Sequence, residues 1–162
     1  MNEKELILRA FELLLNVTPF SFDCGDLCDK ACCSGDGEVK LLPKEHELFT
    51  DVSGFSYNKG NLVCSTNCSE NRGVRPFYCR IFPLLPLVKK ENGALIIKLV
   101  FDPQGENICP IIKENLKTDF LFKRAVRRAV RLLCRSELFL EHFIKESEYY
   151  FEMQDFKARI MR

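Results

Sequence analysis

The sequence predicts an α+β fold, with a small loop-rich centre and a short antiparallel hairpin, flanked by an N-terminal helix and two C-terminal helices. Three observations lead there. Apolar residues recur at three- and four-residue steps near both ends of the chain, the period of a helix with one buried face. The segment from Ser21 to Gly37 holds Gly25, Gly35 and Gly37 among four cysteines and several aspartates, too little carbon to fold by burial alone. Later, two apolar runs are joined by the turn dipeptide Asn92-Gly93.

In chain order, Asn2 to Val17 places Leu6, Ile7, Ala10, Phe11, Leu13 and Leu14 on one helical stripe, with Pro19 just beyond its end. Ser21 to Gly37 reads as irregular. Val39 to Leu42 suits a short strand, and Pro43 followed by Lys44, Glu45, His46 and Glu47 suits a helix start with proline in its first turn. Asp51 to Asn61 is polar and carries Gly54 and Gly60, the pattern of a loop. Leu84 to Val88 and Ala94 to Phe101 form the expected hairpin around Asn92 and Gly93. From Thr118 the helical period returns, broken near Ser136, which opens a second helix ahead of Glu137. The 162 residues suit one domain, with a cysteine-rich region at 20–112 and a helical region at 113–162.

Charge narrows the function classes. With 24 basic and 23 acidic residues the formal net charge is +1, so no global field draws the chain to nucleic acid or an anionic membrane. The N-terminal stretch is interrupted by Glu3, Lys4, Glu5, Arg9 and Glu12, which fits neither a secretory signal nor a membrane span, and a cytoplasmic location is expected. No membrane insertion is expected.

The cysteines carry the chemical signal. Eight of nine lie between Cys24 and Cys109. Cys24 and Cys28, and again Cys64 and Cys68, are separated by three residues, the spacing by which a tight turn brings two thiolates onto one tetrahedral metal. Cys32 and Cys33 extend the first group, and Cys79 and Cys109 complete eight sulfurs, enough for two four-cysteine sites or for one cluster with sulfurs to spare. A reducing compartment disfavours disulfides. Adjacent cysteines point in different directions, so Cys32 and Cys33 serve two close metals more easily than they chelate one. The centre is therefore expected to be stapled by zinc ions, with an iron-sulfur cluster as the alternative. Thiolate sites are anionic, and Arg72, Arg75, Arg80 and Lys30 lie close in sequence to compensate them, unless they are simply solvated.

The order of these motifs resembles the YkgJ-type cysteine-cluster family, described as a zinc- or iron-chelating domain. The cysteine run ends in the pair Cys32-Cys33; Arg75-Pro76 is followed by Cys79-Arg80 and then Phe82-Pro83; Asp102 precedes Cys109-Pro110. The resemblance covers about residues 20–112. It implies metal chelation by the eight cysteines, with Arg75, Arg80 and Asp102 beside them. The spacing between Cys24 and Cys28 is one residue longer than is common in the family. Some relatives resemble protein-lysine methylases acting on flagellin, so an iron-sulfur redox or group-transfer enzyme is a rival expectation.

The remaining signals are weaker. Cys24, Cys28 and Cys32 approach the Cys-x3-Cys-x2-Cys motif of radical enzymes that bind S-adenosylmethionine but miss it by one position. His46 and His142 lie outside the cysteine groups, so no Cys-His nucleophile pair is indicated. Cys134 reads as a small buried hydrophobe. The partner is unknown; within residues 123–135, Lys123, Arg124, Arg127, Arg128, Arg131 and Arg135 form a basic stripe that could grip nucleic acid or an acidic protein, making the chain a zinc-stabilised adaptor. The simpler expectation is that Glu137, Glu141, Glu146, Glu148 and Glu152 of the following helix face and neutralise it.

Overall fold

The structure, a computed structural model, describes residues 1–33, 38–58, 61–64 and 72–162. It is the expected mixture of helix and strand, with an N-terminal helix, short antiparallel pairing at the centre and C-terminal helices.

Helix α1 (Glu3–Leu14) starts at a reciprocal cap, in which Asn2 accepts from the Glu5 backbone N–H and Glu5 accepts from that of Asn2. Its buried face, Leu6, Ile7, Ala10, Phe11 and Leu14, is the stripe read from the sequence. That face packs on Phe122, Val126, Ala129, Val130 and Leu133 of α4 (Phe120–Leu133) and on α2 (Phe77–Ile81), forming the main core. Asp119 caps α4 through the Leu121 N–H. A further turn, α3 (Pro110–Lys113), follows Cys109.

The break at Ser136 is where the sequence puts it, although the serine hydroxyl reaches Glu3 of α1 rather than capping its own helix. Helix α5 (Glu137–Ile160) buries Phe139, Leu140, Phe143 and Ser147, and beyond Ser147 its side chains are exposed or half-exposed, Phe151, Phe156 and Ile160 among them.

Among the described residues, five strands make two sheets. Strand β1 (Glu38–Lys40) and β2 (Phe55–Asn58) flank β3 (Asn61–Cys64), antiparallel, with Glu38 opposite Val63 and Phe55 opposite Cys64. The polar segment expected as a loop from Asp51 to Asn61 thus contains β2 and leads directly into β3. Only Leu62 is buried in this pair, so strand pairing rather than an apolar period makes them strands, and that partner is not visible locally. The second sheet is the expected hairpin, β4 (Leu84–Glu91) with β5 (Ala94–Phe101), closed by Asn92 and Gly93 at φ 51° and 79°, the left-handed pair of a type I′ turn. Helix α5 lies on β4, and the Ser147 hydroxyl accepts from the Val88 N–H at 2.7 Å while donating to the Phe143 carbonyl. Two residues earlier on β4 stands Pro86.

The helix expected after Pro43 is a single 3-10 turn at Glu45–Leu48. Glu45 folds inward instead of lining a helix surface. It is fully buried, and its two carboxylate oxygens accept from the Leu42 N–H at 2.7 Å and the Phe77 N–H at 2.6 Å.

Candidate metal centre

The cysteines are delivered by short turns at the ends of these elements. Asp23 caps the first, accepting from the Gly25 N–H at 3.0 Å, and a 3-10 turn runs over Cys24–Leu27. Gly25 takes up the N–H groups of both Cys28 and Lys30 on its carbonyl. Asp29 and Lys30 then adopt φ of 49° and 55°, which reverses the chain into a second 3-10 turn, Ala31–Cys33. Three thiols are thus presented at four-residue intervals by a backbone bonded largely to itself.

Cys109 arrives from the other side. At the foot of the hairpin the Asp102 N–H donates to the Pro83 carbonyl, and the Asp102 carboxylate caps the following turn through Gln104. Burial raises the pKa of Asp102 above its ordinary value, with the Gln104 hydrogen bond opposing. The Gly105 carbonyl accepts from the N–H of Cys109 at 2.9 Å. Cys24, Cys28, Cys32 and Cys109 line one small cavity of about 20 Å³. Among the described residues no other polar side chain lines it; its remaining walls include Leu27, Phe82, Ile108 and Ile111.

Strand register places Cys64: because Glu38 pairs with Val63, Cys64 lies at the end of the three-stranded sheet where β1 begins. Cys79 sits on α2, whose first N–H is gripped by Glu45, and lies within electrostatic reach of Cys33 and Cys64. Cys68 falls outside the described residues, as does the side chain of Arg72. Among the described residues no disulfide forms, and no three His, Cys, Asp or Glu side chains stand close enough together to hold an ion as they are placed.

Burial and neighbouring thiols together raise the pKa of Cys24, Cys32 and Cys79. Burial pushes Cys24 up to about 11, with Asp23, Cys109 and Cys28 adding to it and Arg75 opposing. Burial also pushes Cys79 up to about 12, with Cys33 and Glu45 adding and Arg75 again opposing. Cys32 is raised further still, first by its hydrogen bond with Cys33 and then by burial. Such crowding disfavours bare thiolates and is relieved by a bound cation.

Arg75 therefore influences both Cys24 and Cys79. Arg80 is placed differently. It is buried, stacks over the Phe11 ring at 4.0 Å, and donates to the carbonyls of Arg75 at 2.7 Å and Gly73 at 2.9 Å. In this position Arg80 braces the backbone that carries Arg75. Sequence reasoning missed Glu45 as a support for the centre, since nothing in its local pattern marks it as buried. Neither histidine lines the cavity: His142 hydrogen-bonds the Tyr78 hydroxyl at 2.8 Å, and His46 stacks on Tyr57. Cys134 ends α4, half-buried against the core, and burial alone raises it to about 12.

The basic face of α4 is not covered as expected. α4 packs against α1 and β5, whereas α5 packs against β4, and Glu146 of α5 pairs with Lys40. Arg124, Arg128, Arg131 and Arg135 are exposed and form no ion pair with another described residue. No helix among the described residues is long and apolar enough to cross a membrane.

Compared with known protein families, with curated proteins and with solved structures, the chain shows no match.

Proposed function

We propose that this chain is a metal-binding protein whose clustered cysteines, Cys24, Cys28, Cys32, Cys33, Cys64, Cys68, Cys79 and Cys109, hold zinc in two close thiolate sites. The observation that carries this reading is the thiol-lined cavity. Among the described residues, four sulfurs and no other polar side chain surround a space of about 20 Å³, room for one water-sized body. A soft, all-sulfur donor set with apolar walls fits zinc or an iron-sulfur centre and fits calcium or magnesium poorly. The motif order that resembles the YkgJ-type cluster family supports the same reading.

The metal would supply folding energy where the core does not reach. Residues 21–33 bury little carbon, and a structural zinc contributes on the order of 10 kcal/mol to such a fold. Metal binding draws the thiols together from their present spacing and turns their mutual repulsion into attraction to a common cation. Arg75, within reach of both groups, offsets part of the negative charge that remains.

Elemental mass spectrometry and a visible spectrum on anaerobically purified protein, made without a metal-chelating tag, test the proposal. Near-stoichiometric zinc in a colourless solution is the expected result, and protein without bound metal would sink it. Iron with acid-labile sulfide would move a cluster-based redox or group-transfer enzyme to the front. A second reading, a zinc-shaped adaptor for an anionic partner, is favoured by the uncovered arginines of α4. It requires binding that weakens steeply with salt and is lost in Arg124→Glu/Arg128→Glu.

A further inference from the structure

Beyond Ser147, α5 carries a stripe of large apolar side chains that its own chain leaves exposed. Tyr149, Met153, Phe156 and Ile160 are 59%, 37%, 57% and 67% exposed. They follow one another at steps of four, three and four residues, the repeat by which one helix lies along another in a coiled coil. At about 100° per residue the four fall within about 60° of one another, and roughly 150° round the helix from Ser147, the residue bonded to β4. The same repeat runs backward through Glu146, His142 and Phe139, and there the chain supplies the partners itself: Glu146 pairs with Lys40, His142 bonds the Tyr78 hydroxyl, and Phe139 is buried in the core. The stripe is exposed from the point where those internal partners end.

The helix that bears it is already built. Phe139, Leu140 and Phe143 anchor α5 in the core, so a second helix docking on the stripe meets a formed one, without the nucleation cost that leaves short isolated helices marginal. Charge indicates which helix that is. Glu152 and Arg159 flank the stripe on one side, seven residues apart, and neither forms an ion pair with another described residue. Laid antiparallel on a copy of itself, the stripe sets Met153 against Phe156 of the second copy and Tyr149 against its Ile160, and puts Glu152 beside its Arg159. Two-fold symmetry repeats each contact. A parallel arrangement would instead set Glu152 beside Lys157, which already pairs with Glu106 of its own chain at 3.9 Å.

We propose that the exposed stripe of α5 is a self-association surface, on which a second copy of this chain docks its own α5 antiparallel to form a dimer. The seam spans only about 16 Å of helix, so the dimer is reversible and concentration-dependent. Its exposed ion pairs set the direction of the two helices more than the strength of their contact. No cysteine takes part, so the dimer stands apart from the metal-binding reading.

Phe151 supplies the control: it is 55% exposed, much as Phe156 is, but lies on the opposite side of the helix from the stripe. Sedimentation equilibrium of the full chain, under reducing conditions so that no intermolecular disulfide contributes, should show monomer passing to dimer as concentration rises. Phe156→Ser should weaken dimerisation at least about tenfold, whereas Phe151→Ser should leave it unchanged, with the same circular dichroism in both. A wild-type chain that stays monomeric throughout, or equal losses in the two variants, would overturn the proposal. Glu152→Arg and Arg159→Glu should each weaken the dimer, and their combination should restore it; restoration by Glu152→Arg/Lys157→Glu instead would refute the antiparallel arrangement. A monomer that co-sediments with phosphatidylcholine vesicles would assign the stripe to a lipid surface and refute self-association.

Discussion

Gly105 offers the sharpest check on how the fold aims Cys109. Its conformation needs no glycine, but its surroundings do: an added Cβ would lie 2.4 Å from Ile112 Cδ1 and 2.8 Å from Phe82 Cζ. Ordinary carbon contacts fall at about 3.5–4.0 Å, so in Gly105→Ala both neighbours, or the turn itself, must move by roughly an ångström. Overpacking of that kind costs about 1–3 kcal/mol, which for a chain of this size lowers the melting temperature by about 2–12 °C. The displaced turn is the one whose carbonyl holds the Cys109 N–H, and Phe82 lines the cavity, so metal affinity should fall with stability. Gly25→Ala is the control beside the same thiols. Its Cβ would meet Lys30 Cγ at 2.8 Å, which a change of χ1 must move, and the Asp23 carboxylate at 3.2 Å, against two packed apolar side chains at Gly105, so a smaller loss is expected. Thermal melts of metal-loaded protein and competition with a chromophoric chelator measure both effects. Gly105→Ala at wild-type stability and affinity, or Gly25→Ala as damaging as Gly105→Ala, would refute the steric reasoning.

Other expectations concern the supports of the centre. Burial pushes Glu45 up to about 7 from an ordinary 4.5, so its contribution to stability is complete below about pH 4.5 and is lost as pH rises through 7. Glu45→Gln cannot titrate, and its amide opposes one of two N–H donors. The variant should be less stable at pH 5 by about 1–3 kcal/mol, and the difference should shift in its favour by up to about 3 kcal/mol by pH 8; a pH-independent difference in denaturant melts would contradict the buried carboxylate. Gly93→Ala, at φ 79° with nothing within 4 Å of the new Cβ, should cost only the conformational term of about 1–2 kcal/mol, and a loss well beyond that would mean the hairpin turn is crowded. Arg124→Glu/Arg128→Glu should leave the melting midpoint within the range of about 0.5 kcal/mol, since no described ion pair is broken; a large loss would show that the stripe braces the fold.

The parts of this fold that could be read from the chain are those whose signal is local. Helix α1 carries its own period and cap residues, the β4–β5 turn carries Asn92-Gly93, and the boundary between α4 and α5 carries Ser136. Strands β2 and β3 have no such signal, because what makes Phe55–Asn58 a strand is its pairing with β3, and that in turn depends on β1. The same distinction runs through the site. The cysteines could be picked out by type and spacing, but that Cys109 lines one cavity with Cys24, Cys28 and Cys32 depends on the return of the hairpin past Asp102. Glu45 went unread, and Arg80 was read as a charge beside the thiols and not as a brace, for a related cause: each is a charged side chain whose partners, the Phe77 N–H and the Gly73 and Arg75 carbonyls, are brought together only by the fold.

The contact between Ser147 and Val88 has a consequence for how the hairpin behaves among other chains. A two-stranded sheet has two edges, each a template on which a foreign strand can add. Alternate N–H groups of β4 point outward, so Pro86 and Val88 share the outer edge. Proline has no hydrogen to offer there, and the Val88 hydrogen is already committed to the serine of α5. The next residues, Lys89 and Lys90, are exposed charges that disfavour stacking against a copy of themselves. The outer edge of β4 is thus blunted against strand addition by the sequence itself. None of these features involves a cysteine, so the protection of this edge is independent of what the thiols hold.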